Sequence, residues 1–144
     1  MITLKHILGF IAADHRGYAL KEYLKEKYPL IDLGTSDCIK IVDYTDYANN
    51  LCKYVLKEKS FGILICGSGN GMSMSANRHK KIYATICDNV KEAELARLHN
   101  DANVLVLRGE FVKPNEAEKI VKKFFETKFS GIDRYKRRIK KLDK

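Results

Sequence analysis

Residues 61–71 read FGILICGSGNG, and their interpretation decides the fold. Residues 61–66 form a nearly unbroken apolar run, the pattern of a strand covered on both faces in a parallel sheet. The run stops at GSGNG, and a helical pattern over 70–78 follows. Strand, glycine turn and helix in immediate succession is the basic unit of an α/β sheet. Working outward, the same alternation continues. Further strands are predicted over 6–13 (HILGFIAA), 30–33, 82–87 and 103–107 (NVLVL). Helices are predicted over 18–28, 46–59, 90–99 and 115–128, with a last one in the tail. In the first of these, Tyr18, Leu20, Tyr23 and Leu24 make an apolar stripe among Lys and Glu. Five strands and their helices predict an α/β fold, a three-layer arrangement around a five-stranded parallel sheet.

At 144 residues the chain fits one domain, 1–144, by the prior of roughly 150 residues per domain. Hydrophobic residues at 45% and charged residues at 31% describe an ordinary globular protein rather than a disordered or fibrous one. No apolar run approaches the roughly 18 residues that cross a bilayer, so no membrane role is expected. The apolar stretch near the N-terminus is followed by Asp14-His15 and no signal-type cleavage site, and reads as a strand.

The net charge of +9 invites a nucleic-acid reading. Its distribution weakens that reading. Residues 130–144 hold seven Lys/Arg and two Asp, a net of +5, which leaves +4 for the other 129. Within this tail Arg134, Arg137, Arg138 and Lys141 share one helical face, and Tyr135, Ile139 and Leu142 share another. An apolar stripe implies that the tail packs against something while presenting arginines, which suit a phosphate. Lys136, Lys140 and Lys144 read as a solvated face.

Cys38, Cys52, Cys66 and Cys87 form no CxxC pair and no zinc-type cluster with histidine, so no metal site is expected. Reduced thiols in the cytoplasm are the expectation. Cys38, Cys52 and Cys87 read as small buried hydrophobes. Cys66 is different. It ends a buried strand beside the glycine loop, where a helix N-terminus favours thiolate, and a base or nucleophile is the better reading.

In parallel α/β sheets, ligands bind at the carboxyl ends of the strands. Polar residues capable of chemistry lie there: Asp14-His15 after the first strand, and Cys66, Gly67 and Ser68 after the third. Residues 67–71 are neither a dinucleotide fingerprint, since Met72 stands where a third glycine is needed, nor a Walker loop. They are either a tight turn or a set of N–H groups aimed at an anion. Asp14-His15 is either a helix cap or a ligand contact. His99, in the segment His99-Asn100-Asp101, is either an acid/base or a complement to a helix dipole.

Taken together, ADHRGYALK (13–21), DLGT (32–35), VDYTDYA (42–48), GILICGSGNGMSMSANR (62–78), HNDANVL (99–105) and SGIDRYKRR (130–138) resemble the type B ribose-5-phosphate isomerases and their galactose-6-phosphate isomerase relatives. The resemblance implies a Rossmann-like α/β/α sandwich that works as a homodimer, in some members a tetramer, with active sites shared between subunits. It implies interconversion of ribose 5-phosphate and ribulose 5-phosphate through a cis-enediolate without cofactor. Cys66 matches the base that shuttles a proton between C1 and C2. Members without that cysteine carry Glu where Met72 stands. His99 matches the acid/base that opens the furanose ring, and Ser68 matches a residue assisting the base. The N–H groups of Gly67, Ser68, Gly69, Asn70 and Gly71 match the enediolate-stabilising loop. Asp14, His15, Tyr44 and Asn100 match substrate contacts, and Arg134 and Arg138 match paired phosphate ligands that act on the partner subunit's site, against which the basic tail is expected to pack.

Three positions depart from the pattern. Tyr135 replaces a common His, Thr45 replaces a Pro, and Glu110 stands where a basic residue is usual. A carboxylate in a phosphate pocket repels the ligand, so either Arg108, two residues away, substitutes or the pocket differs.

Other readings have their own signatures. A hexose-phosphate isomerase acting on allose 6-phosphate or galactose 6-phosphate shares the motifs, but the galactose relative divides its site between two different polypeptides, and here Cys66, His99 and the tail arginines occur in one chain. A nucleic-acid module explains the basic tail but not Cys66, GSGNG or HND. A redox-sensing thiol needs a resolving cysteine near Cys66, and none is adjacent in sequence.

Overall fold

The computed structural model describes residues 7–143, and the statements below concern those residues. His6, where the first strand was expected to begin, and Lys144 lie outside them. Five strands, β1 (Gly9–Ala13), β2 (Leu30–Asp32), β3 (Gly62–Cys66), β4 (Ala84–Ile86) and β5 (Val104–Arg108), form one sheet in the order β2-β1-β3-β5-β4. Every pairing is parallel. The helices are α1 (Tyr18–Lys27), α2 (Tyr44–Glu58), α3 (Asn70–Ala76), α4 (Val90–Asn100), α5 (Pro114–Glu126) and α6 (Asp133–Lys140), the last followed by a 3-10 turn over Lys141–Asp143.

The side chains of the central strands alternate between two apolar layers, as the period of two in a strand requires. Ile11, Ala13, Ile63, Ile65, Leu105 and Leu107 pack with α1, α4 and α5. Phe10, Ala12, Leu64, Cys66, Val104 and Val106 pack with α2 and α3. The expected three layers are therefore present. Because β1 and β3 are apolar on both faces, they can only be central strands, while the three-residue β2 and β4 sit half-buried at the edges.

Local sequence explains the ends of the helices. Asn89 caps α4 by accepting from the Glu92 N–H (2.8 Å), while Glu92 accepts from the Asp88 N–H (2.7 Å). Pro114 begins α5, where its missing N–H costs nothing. A buried Lys21 joins α1 to β2 through Asp32 at 2.7 Å and Glu22 at 2.9 Å. Burial pushes the Asp32 carboxyl up, but hydrogen bonds from Lys21, Lys25 and the Gly34 N–H outweigh it and hold it below its ordinary range.

Four expectations are corrected. α2 begins at Tyr44, two residues early, and β4 is shorter than 82–87. Cys38 is exposed, in an irregular segment that contributes nothing to either apolar layer. Leu142 lies beyond α6 in the 3-10 turn and is 64% exposed, so the apolar stripe of the tail reduces to Tyr135 and Ile139.

Candidate functional site

After β1 the chain moves outward to β2 and then crosses back to β3, so the order reverses between β1 and β3. At such a switch point the loops diverge and leave a crevice at the carboxyl ends of the strands. Cys66 is the last residue of β3, and Asp14 directly follows β1, with its N–H donating to the Ile65 carbonyl at 3.2 Å. Both are buried, at 4% and 5% exposure.

Asp14 Oδ1 accepts from the N–H groups of Arg16 (2.9 Å) and Gly17 (3.1 Å), which fixes the turn into α1. Asp14 therefore closes the turn rather than capping the helix, since the N-cap of α1 is Gly17 with no side-chain cap bond, and Oδ2 has no protein partner among the described residues. A side chain at Gly17 would meet the Ile65 carbonyl at 2.4 Å, so only glycine lets α1 begin this close to β3. His15 Nδ1 accepts from the Val42 N–H at 3.3 Å, an arrangement that leaves Nε2 carrying the proton of the neutral ring. Tyr44, at the start of α2, lays its ring over Gly71: a Cβ there would meet the ring at 2.6 Å.

The loop after Cys66 turns through Gly69, whose φ of 78° is left-handed, and enters α3. Ser68 Oγ accepts from the Asn70 N–H at 3.3 Å. The turn after β5 is tied to the same loop, because Gly109 N–H donates to the Cys66 carbonyl (2.8 Å) and Glu110 N–H to the Gly67 carbonyl (3.1 Å). Burial pushes the thiols of Cys52 and Cys87 up to about 12, so neither is a thiolate near neutral pH. Met72 is fully buried among apolar side chains.

The remaining residues singled out in the sequence gather at the opposite edge of the sheet. His99 and Asn100 close α4, just before β5 begins at Val104, which pairs with Gly62 at the start of β3. Cys66 pairs with Arg108 at the far end of these strands. Four steps of about 3.3 Å separate the two ends, a distance of about 13 Å along the strands alone. The α4 terminus is rigid: Arg97, 6% exposed, donates to the Thr127 carbonyl (3.0 Å), the Ala102 carbonyl (2.7 Å) and Asp101 Oδ1 (2.9 Å). Helix α6 joins this edge. Ser130 donates to the Leu98 carbonyl through its hydroxyl at 2.7 Å, and Tyr83 and Lys81 hold Asp143. Arg134 and Arg138 are exposed there, one turn apart. A cavity of about 630 Å³ opens at the same edge, with Arg78, Thr85 and Asn100 in its wall.

The candidate residues of one chain thus fall into two groups at opposite ends of the strands. A thiol, a buried carboxylate and a glycine loop occupy the carboxyl edge, and an imidazole and two guanidinium groups occupy the amino edge. The reading from sequence missed Arg97, and it also missed the ion pair of Arg16 with Glu110 that lies over Gly67. The only signal for Arg16 was a cation three residues past the end of a strand.

A parallel sheet with a thiol, a buried carboxylate and a glycine loop at its switch point belongs to the class of α/β proteins that hold a small polar molecule at the carboxyl ends of their strands. The family is settled by comparison. The chain belongs to the ribose/galactose isomerase family, whose model matches residues 10–142. A crystal structure of a ribose 5-phosphate isomerase from Thermotoga maritima superposes with a TM-score of 0.88 at 42% identity, covering 95% of this chain and 96% of that one. The Mycoplasma genitalium ribose-5-phosphate isomerase B, solved with bound ribulose-5-phosphate, gives 0.86 at 40% identity, covering 94% and 93%. The Escherichia coli ribose-5-phosphate isomerase B is 35% identical over 135 residues, covering 90% of this chain and 89% of that protein.

Proposed function

We propose that this chain interconverts D-ribose 5-phosphate and D-ribulose 5-phosphate, with Cys66 as the base. The observation that carries the assignment of Cys66 is its placement at the end of β3, beside Asp14 and under a loop of N–H groups. The Cys66 thiolate takes the proton from C2 of the open-chain aldose. The electron pair moves into a C1–C2 double bond, and the carbonyl oxygen becomes an enediolate oxygen. The O2 hydroxyl proton passes to O1, and returning the carbon-bound proton to C1 gives the ketose with its carbonyl at C2. Backbone N–H groups of residues 67–71 stabilise the enediolate charge, and Ser68 assists the thiol. His99 moves the proton that opens the furanose ring. Asp14, His15, Tyr44 and Asn100 hold sugar hydroxyls, and Arg134 and Arg138 hold the phosphate.

Because Cys66 and His99 lie at opposite edges of one sheet, the complete site takes each half from a different copy of the chain. The functional unit in this reading is a homodimer, or a tetramer built from such dimers. A metal-free proton shuttle accounts for every step, and the free thiols suit the reducing cytoplasm. The test is a direct assay of purified protein with ribose 5-phosphate in the presence of a chelator, with allose 6-phosphate and galactose 6-phosphate in parallel. Turnover of the pentose above both hexoses supports the reading, and no turnover of ribose 5-phosphate overturns it.

A further inference from the structure

We propose that Arg16 is a phosphate-binding residue of the carboxyl-edge half-site, and that Glu110 is the counter-ion it releases when substrate arrives. The proposal rests on the sugar-phosphate reading above and assigns a residue that reading leaves out. Both side chains lie directly over the loop. A Cβ on Gly67 would meet Arg16 Cδ at 2.9 Å and Glu110 Cδ and Oε1 at 3.1 Å. Both are placed by neighbouring backbone: Asp14 Oδ1 holds the Arg16 N–H, and the Gly67 carbonyl holds the Glu110 N–H. Whatever enters above Cys66 and Gly67 therefore meets this pair.

The pair itself is loose. Arg16 Nε and Glu110 Oε1 are 3.4 Å apart, with side chains 61% and 49% exposed. Among the described residues the guanidinium has no other ion pair or side-chain hydrogen bond, so its outward N–H groups are available. Exposed pairs of this kind contribute little. A phosphate dianion offers the same guanidinium a bidentate, doubly charged acceptor, which is the stronger partner. Glu110 thus holds the place of an anion.

The other cation at this edge is Arg108, whose buried Nε has no hydrogen-bond partner among the described residues. The Arg108 stem covers Gly69, and its guanidinium lies 3.5 Å from Asp88 and 4.2 Å from the centre of the Phe111 ring. With Asp14 and Glu110 both acidic, a phosphate approaching this edge needs Arg16 to offset their charge. In the two-copy site Arg134 and Arg138 of the second copy approach from the other side, and Arg16 completes the clamp from the loop.

The test measures KM for ribose 5-phosphate and the inhibition constant of inorganic phosphate for wild type, Arg16→Ala, Arg16→Lys, Glu110→Gln and Arg108→Ala. Arg16→Ala is expected to raise both constants about tenfold, the loss of one charge-assisted contact, with a smaller fall in kcat. Arg16→Lys recovers part of that loss. Glu110→Gln lowers both constants about threefold, because the competing carboxylate is gone. If Arg16→Ala leaves both constants near wild type, or Glu110→Gln raises them, the proposal is overturned. A larger effect of Arg108→Ala than of Arg16→Ala overturns it as well. Wild-type protein that does not turn over ribose 5-phosphate would instead defeat the reading on which the proposal rests.

Discussion

The ring of Tyr135 lies 4.7 Å from that of His99, tilted by 36°, and the Arg134 guanidinium lies 4.7 Å from the centre of the same tyrosine ring. Arg134 also donates to the Tyr135 hydroxyl at 3.1 Å. One aromatic residue, at a position where the family often carries histidine, therefore touches both an imidazole assigned to ring opening and a guanidinium assigned to phosphate binding. Tyr135→Ala is predicted to raise KM and lower kcat together, each about three- to tenfold, since stacked pairs of this kind contribute roughly 1 kcal/mol. Tyr135→Phe keeps the stack and loses only the hydroxyl contact, so its effect falls mainly on KM. Steady-state kinetics of the two variants separate these outcomes.

Removing the thiol tests the base. Cys66→Ala is predicted to lower kcat by about 10²- to 10⁴-fold, the usual worth of a positioned proton-transfer group. Binding of ribulose 5-phosphate, measured by calorimetry, should persist. Near-normal turnover would assign the proton transfer to another residue.

Mixing variants tests the division of the site between copies. Cys66→Ala and the double variant Arg134→Ala/Arg138→Ala are each expected to be weak alone. Refolded together, half the dimers combine one intact carboxyl edge with one intact amino edge. Activity of about a quarter of wild type should return, because each mixed dimer restores one of two sites. No recovery would mean that each chain completes its own site.

Gly17→Ala is predicted to destabilise the fold by about 1–3 kcal/mol, since the added methyl meets the Ile65 backbone rather than a side chain that could yield. Urea denaturation measures the loss. The same change displaces the turn held by Asp14, so activity should fall in the fraction that remains folded.

Stability on the acid side should depend on Asp32. Its carboxyl lies below its ordinary value of 3.8 in the folded chain, through Lys21, Lys25 and the Gly34 N–H acting against burial. The stabilisation is present above the ordinary value and is lost as pH falls through the lower folded one. Asp32→Asn should flatten the acid limb of a plot of thermal midpoint against pH. At neutral pH, Lys21→Met should lower stability by about 1–3 kcal/mol, because Asp32 keeps only Lys25 as a side-chain partner.

Much of this protein was legible in the chain alone. Nearly unbroken apolar runs at 61–66 and 104–107 specify buried parallel strands, because only a strand covered on both faces has no polar side. Glycines before a helix specify the loop beside Cys66. Local rules such as these depend on neighbours in sequence. They failed where neighbours did not decide: Leu142 was read onto a helix that stops at Lys140, and Cys38 into a core from which its segment is excluded.

Tertiary structure decided where the groups stand. Residues 66 and 99 look like members of one site in the sequence, yet strand register places them at opposite edges of the sheet, since β3 and β5 run parallel and α4 returns between β4 and β5. The pairing of Arg16 with Glu110 was equally invisible, because 94 positions separate them and only the convergence of the turns after β1, β3 and β5 brings them over Gly67. Chemistry is written in residue types, which are local. Proximity is set by the sheet, which is not.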